Sequence, residues 1–304
     1  MVRQRLKASL EAILTGGGVA AVARRIRARG GIVLAYHNIV PEGEEPAGDR
    51  SLHLPVEEFR AQLDALVETH EVVPLDEVLR PRPGRSPKPR VAITFDDAYR
   101  GAVTCGVAEL WARGLPATVF VAPAFVGGKT FWWDSFATEP YGPGAALREY
   151  ALNQLRGVDS EIRRWAAESG IEPRPVPPHA CAASEEELAA ALRHPGLTLG
   201  SHTWSHPNLI RLSAAEAATE LEQPLRWLRE RFERVGPWLS YPYGMSSPEV
   251  EAMAMRTGYA AALRVTGGPL PRRQTRPYAL PRTNIPAGLS PRGFTLRAAG
   301  LFDS

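Results

Sequence analysis

Short apolar segments recur along this chain of 304 residues, and they restrict its fold more than any other feature. A run such as VAITF at 91–95 has no polar face, which is typical of a strand that is buried on both sides. Parallel sheets that are covered by helices contain such strands. We therefore predict buried parallel strands in the segments 31–37, 91–95, 117–123, 196–202, 237–244, 258–265 and 278–285.

Amphipathic segments between these runs predict the helices that would cover the sheet. In residues 56–70, the apolar side chains of Phe59, Leu63, Leu66 and Val67 recur at helical spacing. Further helices are predicted over 100–114 with Gly114 as the stop, after the capping box from Ser213 to Glu216, and from Ser247 and Pro248 onwards.

About seven strands that alternate with helices favour an α/β fold of the distorted, TIM-like (β/α)7 barrel type. The spacing alone leaves an open sheet with helices on both faces as the alternative. In either architecture, we expect the chemistry at the carboxyl ends of the strands.

Two parts of the chain depart from this alternation. Residues 1–30 are basic and amphipathic, and we interpret them as an N-terminal helical segment before a single domain over 31–304. Residues 127–195 include a long polar helix candidate at 145–169, and we interpret them as an insertion on the rim of the barrel.

The N-terminal segment interrupts its apolar runs with Glu11, glycines and arginines, so it lacks the continuous stretch of a signal peptide or a membrane span. A cytoplasmic location is therefore expected. Peripheral contact with a membrane through the amphipathic helix is the alternative to a helix that packs on the domain.

Composition excludes several other classes. The formal net charge is +3, and acidic residues are interleaved with the arginines, so no basic stripe for nucleic acid is present. Cys105 and Cys181 are the only thiols and lie outside any CxxC pattern, which predicts neither a disulfide framework nor a thiolate metal site.

Candidate catalytic residues lie at the ends of two predicted strands. Asp96 and Asp97 follow VAITF directly, and His202 and His206 follow the strand at 196–202. On a helix or helix-like turn, a spacing of four places both imidazoles within reach of one divalent ion. Two imidazoles and one carboxylate leave a coordination position open for water, as in catalytic zinc sites. The alternatives are histidines bonded in the core and an acidic pair in a turn.

These motifs resemble those of the polysaccharide deacetylases, the NodB-type enzymes of carbohydrate esterase family four. The resemblance rests on ITFDD at 93–97, SHTWSH at 201–206 and YPYG at 241–244, and it spans about residues 31–285. It implies a distorted (β/α) barrel that removes acetyl groups from an N-acetylated polysaccharide, oligosaccharide or glycolipid. It also implies a metal ion, usually zinc.

The resemblance assigns roles position by position. It implies that Asp97, His202 and His206 hold the metal and that Asp96 is the general base. In the YPYG turn, the backbone N–H of Tyr243 would stabilise the oxyanion. An ordinary Pro-Tyr-Gly turn is the alternative for this last motif.

The sequence departs from the family at two positions. Ser240 stands where many relatives have an arginine that orients the base, and Arg282 stands where they have a late histidine that acts as the acid. We therefore propose that the Arg282 guanidinium holds Asp96 ionised and oriented. An exposed arginine without this contact is the competing interpretation.

The missing late histidine leaves the general acid to be found elsewhere. An amide cannot be cleaved without protonation of its nitrogen, because an amine anion is a poor leaving group. His37 is the candidate, since it ends the first predicted strand and some relatives resemble this chain in an early Tyr-His element. The alternative is a histidine that is bonded within the barrel wall.

Aromatic residues provide candidates for substrate binding. Trp132 or Trp133 could stack on a sugar ring, and Asp134 could bind hydroxyls. Tyr241 and Pro242 are further candidates in the YPYG turn. The alternative for the tryptophans is that they anchor the insertion to the core.

Three functions remain open from the sequence. The first is a metal-dependent N-deacetylase that acts on sugars. The second is a hydrolase of a non-sugar amide with the same metal chemistry. The third is a carbohydrate-binding protein that has lost catalysis, which the missing late histidine would suit.

Overall fold

The computed structural model describes residues 31–80, 88–138, 142–271 and 275–301. The two predictions for residues 1–30, a helical segment and its contact with a membrane surface, lie outside this range. Within the described residues, none of the helices combines the length and the hydropathy that a membrane span requires.

Ten strands and ten α-helices make up the described structure. The strands are β1 (Ile32–Tyr36), β2 (Asn38–Val40), β3 (His53–Pro55), β4 (Glu71–Val72), β5 (Arg90–Phe95), β6 (Ala117–Val121), β7 (Leu197–Ser201), β8 (Val235–Ser240), β9 (Ala261–Leu263) and β10 (Thr283–Asn284). The helices are α1 (Val56–Thr69), α2 (Leu75–Leu79), α3 (Val107–Ala112), α4 (Trp132–Ser135), α5 (Ala145–Asn153), α6 (Asp159–Glu168), α7 (Glu185–Ala191), α8 (Ala214–Arg231), α9 (Pro248–Arg256) and α10 (Pro291–Ala298).

The main sheet is parallel and curls into a barrel. Its strand order is β10-β1-β5-β6-β7-β8-β9, and β4 adds to β5 outside this path. A parallel bridge between Leu263 and Leu280 brings the last strand to the segment that leads into β10. The Leu280 N–H donates to the Ala262 carbonyl at 3.0 Å, and the Arg264 N–H donates to the Leu280 carbonyl at 2.8 Å. The sheet therefore closes on itself, which confirms the TIM-like barrel and excludes the open sheet.

The predicted apolar runs form the centre of the molecule. All five residues of β1 and all five of β6 are buried, as are Val91 to Phe95 in β5. Helix α1 covers the sheet with Phe59, Leu63 and Leu66, whereas Val67 is 44% exposed, so its predicted place on the apolar face is wrong. Both cysteines are free thiols, as predicted.

The predicted helix at 145–169 is two helices. Between α5 and α6 the chain turns through Arg156 at φ 57° and Gly157 at φ 69°. A Cβ atom on Gly157 would lie 2.7 Å from the backbone nitrogen of Asn208, so the bend brings the segment against the loop that follows β7. This close approach is a tertiary contact, which helical periodicity cannot indicate.

The segment 127–195, predicted as a rim insertion, runs from the end of β6 to the start of β7 and contains α4 to α7. Its aromatic residues Phe131, Trp132 and Phe136 belong to the main core. These residues anchor the segment to the barrel. The division of the chain into residues 1–30 and a domain over 31–304 with a rim insertion stays a prediction.

Candidate active site

A cavity of about 390 Å³ opens at the carboxyl ends of the strands. Small-molecule sites typically have volumes of about 300–1,000 Å³, so the cavity can hold a sugar-sized ligand. Seven predicted site residues line it: His37, Asp96, Asp97, Trp133, His202, His206 and Tyr243. The other lining residues are Asp49, Ser51, Leu52, Arg148, Gly244, Val265 and Asn284.

Asp97, His202 and His206, together called the metal group here, converge as predicted. Their ligand atoms all lie within 4.8 Å of one another. The Nε2 atoms of His202 and His206 lie 3.4 and 3.3 Å from the same Asp97 Oδ1. The Nδ1–H of His202 donates to the Ser240 carbonyl at 2.8 Å, which leaves Nε2 as the free ring nitrogen.

The arrangement of the metal group favours a positive charge between its members. A neutral His202 directs the Nε2 lone pair at Asp97 Oδ1, and no hydrogen-bond donor among the described residues satisfies this oxygen. Burial alone would lower the pKa of His202, but Asp96 and Asp97 raise it overall. One carboxylate and two imidazoles are the ligand types of catalytic zinc sites, so the residues fit a divalent metal ion.

His206 is held in the form that binds metal. Burial lowers its pKa to about 3, although Asp97 opposes this shift. A neutral imidazole is the form that coordinates a metal. Its ring packs between Trp133 at 4.8 Å and Tyr243 at 4.7 Å between ring centroids, which fixes its position.

The histidine motif is not the helix or helix-like turn that the four-residue spacing suggested. Thr203 and His206 have positive φ angles of 63° and 57°, and the segment between β7 and the turn at Leu209 is an irregular loop. Asp97 and Tyr243 also have positive φ angles, of 68° and 57°. Three of the six described non-glycine residues with positive φ, Asp97, His206 and Tyr243, line this cavity, as expected where the surroundings impose strain on a functional site.

Glu220 of α8, which the sequence analysis missed, fixes this loop. Its Oε2 accepts the N–H groups of Trp204 at 2.9 Å and Ser205 at 2.8 Å, and its Oε1 accepts the Ser205 hydroxyl at 2.6 Å. The Thr203 hydroxyl accepts the N–H of His206 at 3.1 Å. A carboxylate on a solvent-facing helix carries no signal in the sequence, because only the fold brings it to the loop.

Asp96 is paired with Arg282. The Nη1 and Nη2 atoms of Arg282 each donate to one oxygen of Asp96 at 2.7 Å, and Nη2 also donates to the Ser240 hydroxyl at 2.6 Å. Burial raises the pKa of Asp96, but the Arg282 guanidinium more than offsets this and holds the pKa well below its usual range. Arg282 is fully buried, so the competing prediction of an exposed arginine is wrong.

The two departures from the family pattern therefore meet in space. Ser240 is small enough to leave room for the Arg282 side chain, which arrives from the segment before β10. Many relatives have the arginine at the position of Ser240, at the end of β8. In this chain the guanidinium beside Asp96 comes instead from Arg282, just before β10.

His37 follows β1 and lines the cavity together with Asp96 and Asp97. Burial lowers its pKa, and the two carboxylates offset this only in part. Its place at the cavity meets the geometric requirement for the predicted acid, and its role stays a prediction.

Of the predicted substrate-binding residues, only Trp133 lines the cavity. Trp132 is 1% exposed and lies in the core, and Tyr241 is 1% exposed and donates its hydroxyl to the Tyr278 carbonyl at 3.0 Å. Pro242 is also buried. None of these three residues lines the cavity, so the structure gives no support to their predicted contact with a sugar.

Asp134 is also absent from the cavity lining. It is 1% exposed, and its Oδ1 accepts the Asp49 N–H at 2.9 Å and the His53 Nε2–H at 3.0 Å. Its Oδ2 accepts the Tyr99 hydroxyl at 2.7 Å. The carboxylate is therefore occupied by protein donors beneath the cavity wall.

Comparison with known sequences agrees with the motifs. Residues 84–262, more than half of the chain, match the family described as polysaccharide deacetylase. YxkH of Bacillus subtilis (strain 168), whose own description as a polysaccharide deacetylase is provisional, is 23% identical over 265 residues. This match covers 86% of the chain and 74% of YxkH.

Solved structures share the architecture. The Streptococcus pyogenes deacetylase PplD, solved in complex with acetate, is 16% identical and superposes with a TM-score of 0.61 over 88% of this chain and 98% of PplD. IcaB from Ammonifex degensii is 17% identical and has a TM-score of 0.59 over 90% of this chain and 98% of IcaB. At these identities the similarity establishes a common barrel fold.

Proposed function

The chain belongs to the polysaccharide deacetylase family, and we propose that it hydrolyses the acetamido group of an N-acetylated sugar to acetate and a free amine. The observation that carries this proposal is the metal group beside the Asp96–Arg282 pair in one sugar-sized cavity. The complex of PplD with acetate, the product expected here, supports the same chemistry.

Asp97, His202 and His206 would hold a divalent ion such as zinc. When bound, this ion supplies Lewis acidity that polarises the acetyl carbonyl and makes a nearby water molecule acidic. The hydrogen bond from His202 to the Ser240 carbonyl directs the free ring nitrogen toward the metal position.

Asp96 takes the proton from the attacking water. Arg282 keeps this carboxylate ionised, as a general base must be, and its two parallel hydrogen bonds fix the direction of the remaining lone pairs. Arg282 acts through Asp96 and is therefore a positioning residue.

Tyr243 donates its backbone N–H to the carbonyl oxygen as negative charge develops there. Its ring is held between His206 and the Trp132 Nε1–H, which donates to the Tyr243 hydroxyl at 3.2 Å. This packing fixes the backbone at φ 57° at the cavity wall.

His37 donates a proton to the amide nitrogen as the C–N bond breaks. The amine then leaves neutral, and the oxygen that came from water stays on the acetyl group, which ionises to acetate. His37→Asn should lower kcat by about 10²–10⁴-fold, the usual contribution of a general acid, while metal content stays unchanged.

The test is acetate release from an N-acetylated chitooligosaccharide by the zinc-loaded protein. We expect turnover that is lost after chelation, restored by zinc, and lost again in Asp96→Asn. Acetate release only from non-sugar amides would instead identify an amide hydrolase. Bound zinc without turnover of any amide would identify a carbohydrate-binding protein that has lost catalysis.

A further inference from the structure

The cavity has a second polar region outside the metal group. Asp49, Ser51, Trp133 and Arg148, called the rim wall here, line the same cavity and come from segments that leave the barrel. Asp49 is the one carboxylate among them, and no motif points to it.

The Asp49 carboxylate is buried, and the hydrogen bonds that it accepts from described residues all go to one of its two oxygens. Its side chain is 7% exposed. Its Oδ1 accepts the Ser51 N–H at 3.1 Å and the Ser51 hydroxyl at 2.6 Å, which caps the turn at Arg50–Leu52. Among the described residues, the nearest cation to Oδ2 is Arg148, whose Nη1 lies 3.8 Å away and beyond hydrogen-bond distance.

A buried network holds Asp49 in this position. The Asp49 N–H donates to Asp134 Oδ1, and a Cβ atom on Gly48, which has φ 64°, would collide with the Asp134 carboxylate. Asp134 in turn accepts hydrogen bonds from His53 and Tyr99. The backbone at Asp49 is therefore fixed against a buried carboxylate, and the two hydrogen bonds from Ser51 hold the Asp49 side chain.

The donors of this network are used within the protein. The Asn38 amide nitrogen donates to Nδ1 of His53 at 2.9 Å and to Nδ1 of His179 at 3.0 Å. Both histidines therefore carry the proton on Nε2, and they donate it to Asp134 and to the Glu45 carbonyl. Of Asp49 and Asp134, Asp49 is the carboxylate that lines the cavity.

We propose that the Asp49 carboxylate, with the Arg148 guanidinium beside it, binds ring hydroxyls of the acetylated sugar. A charged acceptor and a charged donor 3.8 Å apart match two neighbouring hydroxyls, one of which donates to Asp49 while the other accepts from Arg148. Trp133 supplies an aromatic surface in the same wall. The proposal rests on the proposed function, because it assigns the sugar's place in that cavity.

The test compares a substrate that has hydroxyls with one that has none. Asp49→Asn keeps the size of the side chain and an oxygen that can cap Ser51, but it removes the charge. We expect KM for an N-acetylated chitooligosaccharide to rise about tenfold or more, the usual effect of losing a hydrogen bond to a charged group. Hydrolysis of p-nitrophenyl acetate by the same zinc-loaded protein should change by less than about twofold.

Two further variants serve as matched comparisons. Arg148→Gln removes an exposed cation that no other described ion pair involves, and KM for the oligosaccharide should rise about threefold or more. Asp64→Asn breaks an ion pair with Arg113 on the outer surface of α1 and should leave both substrates unaffected. Thermal unfolding and zinc content should match the wild type in all three variants.

An unchanged KM for the oligosaccharide in Asp49→Asn, or an equal loss on both substrates, overturns the inference. If the wild type releases no acetate from any sugar, the proposed function fails instead, and calorimetric binding of the chitooligosaccharide decides about the rim wall. Binding that is weakened in Asp49→Asn but not in Asp64→Asn then supports it, and equal or absent binding overturns it.

Discussion

The metal group and the rim wall face the same cavity but are specified in different ways. The metal group follows strands β5 and β7 directly, so two short motifs at the carboxyl ends of neighbouring parts of the sheet provide all three ligands. The rim wall joins residues from three separate segments, and its central carboxylate depends on a buried partner 85 positions along the chain. Local sequence thus encodes the reaction chemistry, whereas tertiary contacts build the surface that would select the substrate.

The largest effect is expected for Asp97→Asn, which changes the metal group and leaves the rim wall intact. Asp97→Asn removes the charge that both Nε2 atoms face, so zinc should be lost and kcat/KM for deacetylation should fall by about 10³-fold, in line with the several kcal/mol that a Lewis acid supplies. Elemental analysis and acetate release measure both quantities. Full zinc occupancy in this variant would show that the ion binds elsewhere.

Arg282→Met tests how the base depends on its partner. It leaves the buried Asp96 carboxylate unpaired, so the free energy of unfolding should fall by about 3–5 kcal/mol. Deacetylation should fall by about 10²-fold or more, since Asp96 would no longer be held ionised. Denaturant unfolding and initial rates provide the measurements.

Arg282→Lys is the matched control, because it keeps the charge but not the two parallel hydrogen bonds. It should restore most of the stability and only part of the activity. Equal activity in the lysine variant and the wild type would mean that the two-point contact does not orient the base.

Glu220→Gln tests whether the helix carboxylate holds the histidine loop for the metal. Loss of groups that orient metal ligands typically weakens metal affinity by about 10–100-fold, and we expect a rise in the zinc Kd within this range. Zinc titration measures it directly, and excess zinc should restore the activity. Glu222→Gln, on the exposed side of the same helix, should bind zinc like the wild type.

Asp134→Asn tests whether the rim wall and the metal group are independent of each other. The carboxylate accepts three hydrogen bonds beneath the rim wall, so its loss should reduce the free energy of unfolding by about 1–3 kcal/mol and raise KM for the sugar severalfold. Zinc affinity should stay unchanged. A parallel loss of zinc would show that the two regions are not independent.

Tyr241→Phe should have the smallest effect. Its hydroxyl donates to the Tyr278 carbonyl away from the cavity lining, so deletion should cost about 1 kcal/mol of unfolding free energy and leave kcat/KM unchanged. A clear rise in KM would restore Tyr241 as a substrate-binding residue.

Sequence reasoning succeeded where the determinants are local. Apolar runs indicated seven of the eight strands in the main sheet, all except the two-residue β4. Carboxylates and imidazoles that follow such runs indicated the metal group. The contact between Arg282 and Asp96 was also predicted, from the strand-end position of Arg282 and from the resemblance, which implies an arginine where this chain has Ser240.

Sequence reasoning failed where distant segments decide the outcome. The break between α5 and α6, the irregular loop that holds His206 and the clamp by Glu220 all arise from tertiary contacts. Asp134 was expected in the cavity because it follows two tryptophans. The structure instead buries Asp134 among His53, Tyr99 and the Asp49 backbone, and it exposes Asp49 to the cavity.

The central claim is that Asp97, His202 and His206 share one divalent ion. Anomalous diffraction at the zinc absorption edge, from crystals of the zinc-loaded protein, tests it most directly. We expect one strong peak about 2.0–2.2 Å from Nε2 of both histidines and from a carboxylate oxygen of Asp97. A protein that takes up no zinc, or a peak bound to other residues, would contradict the account.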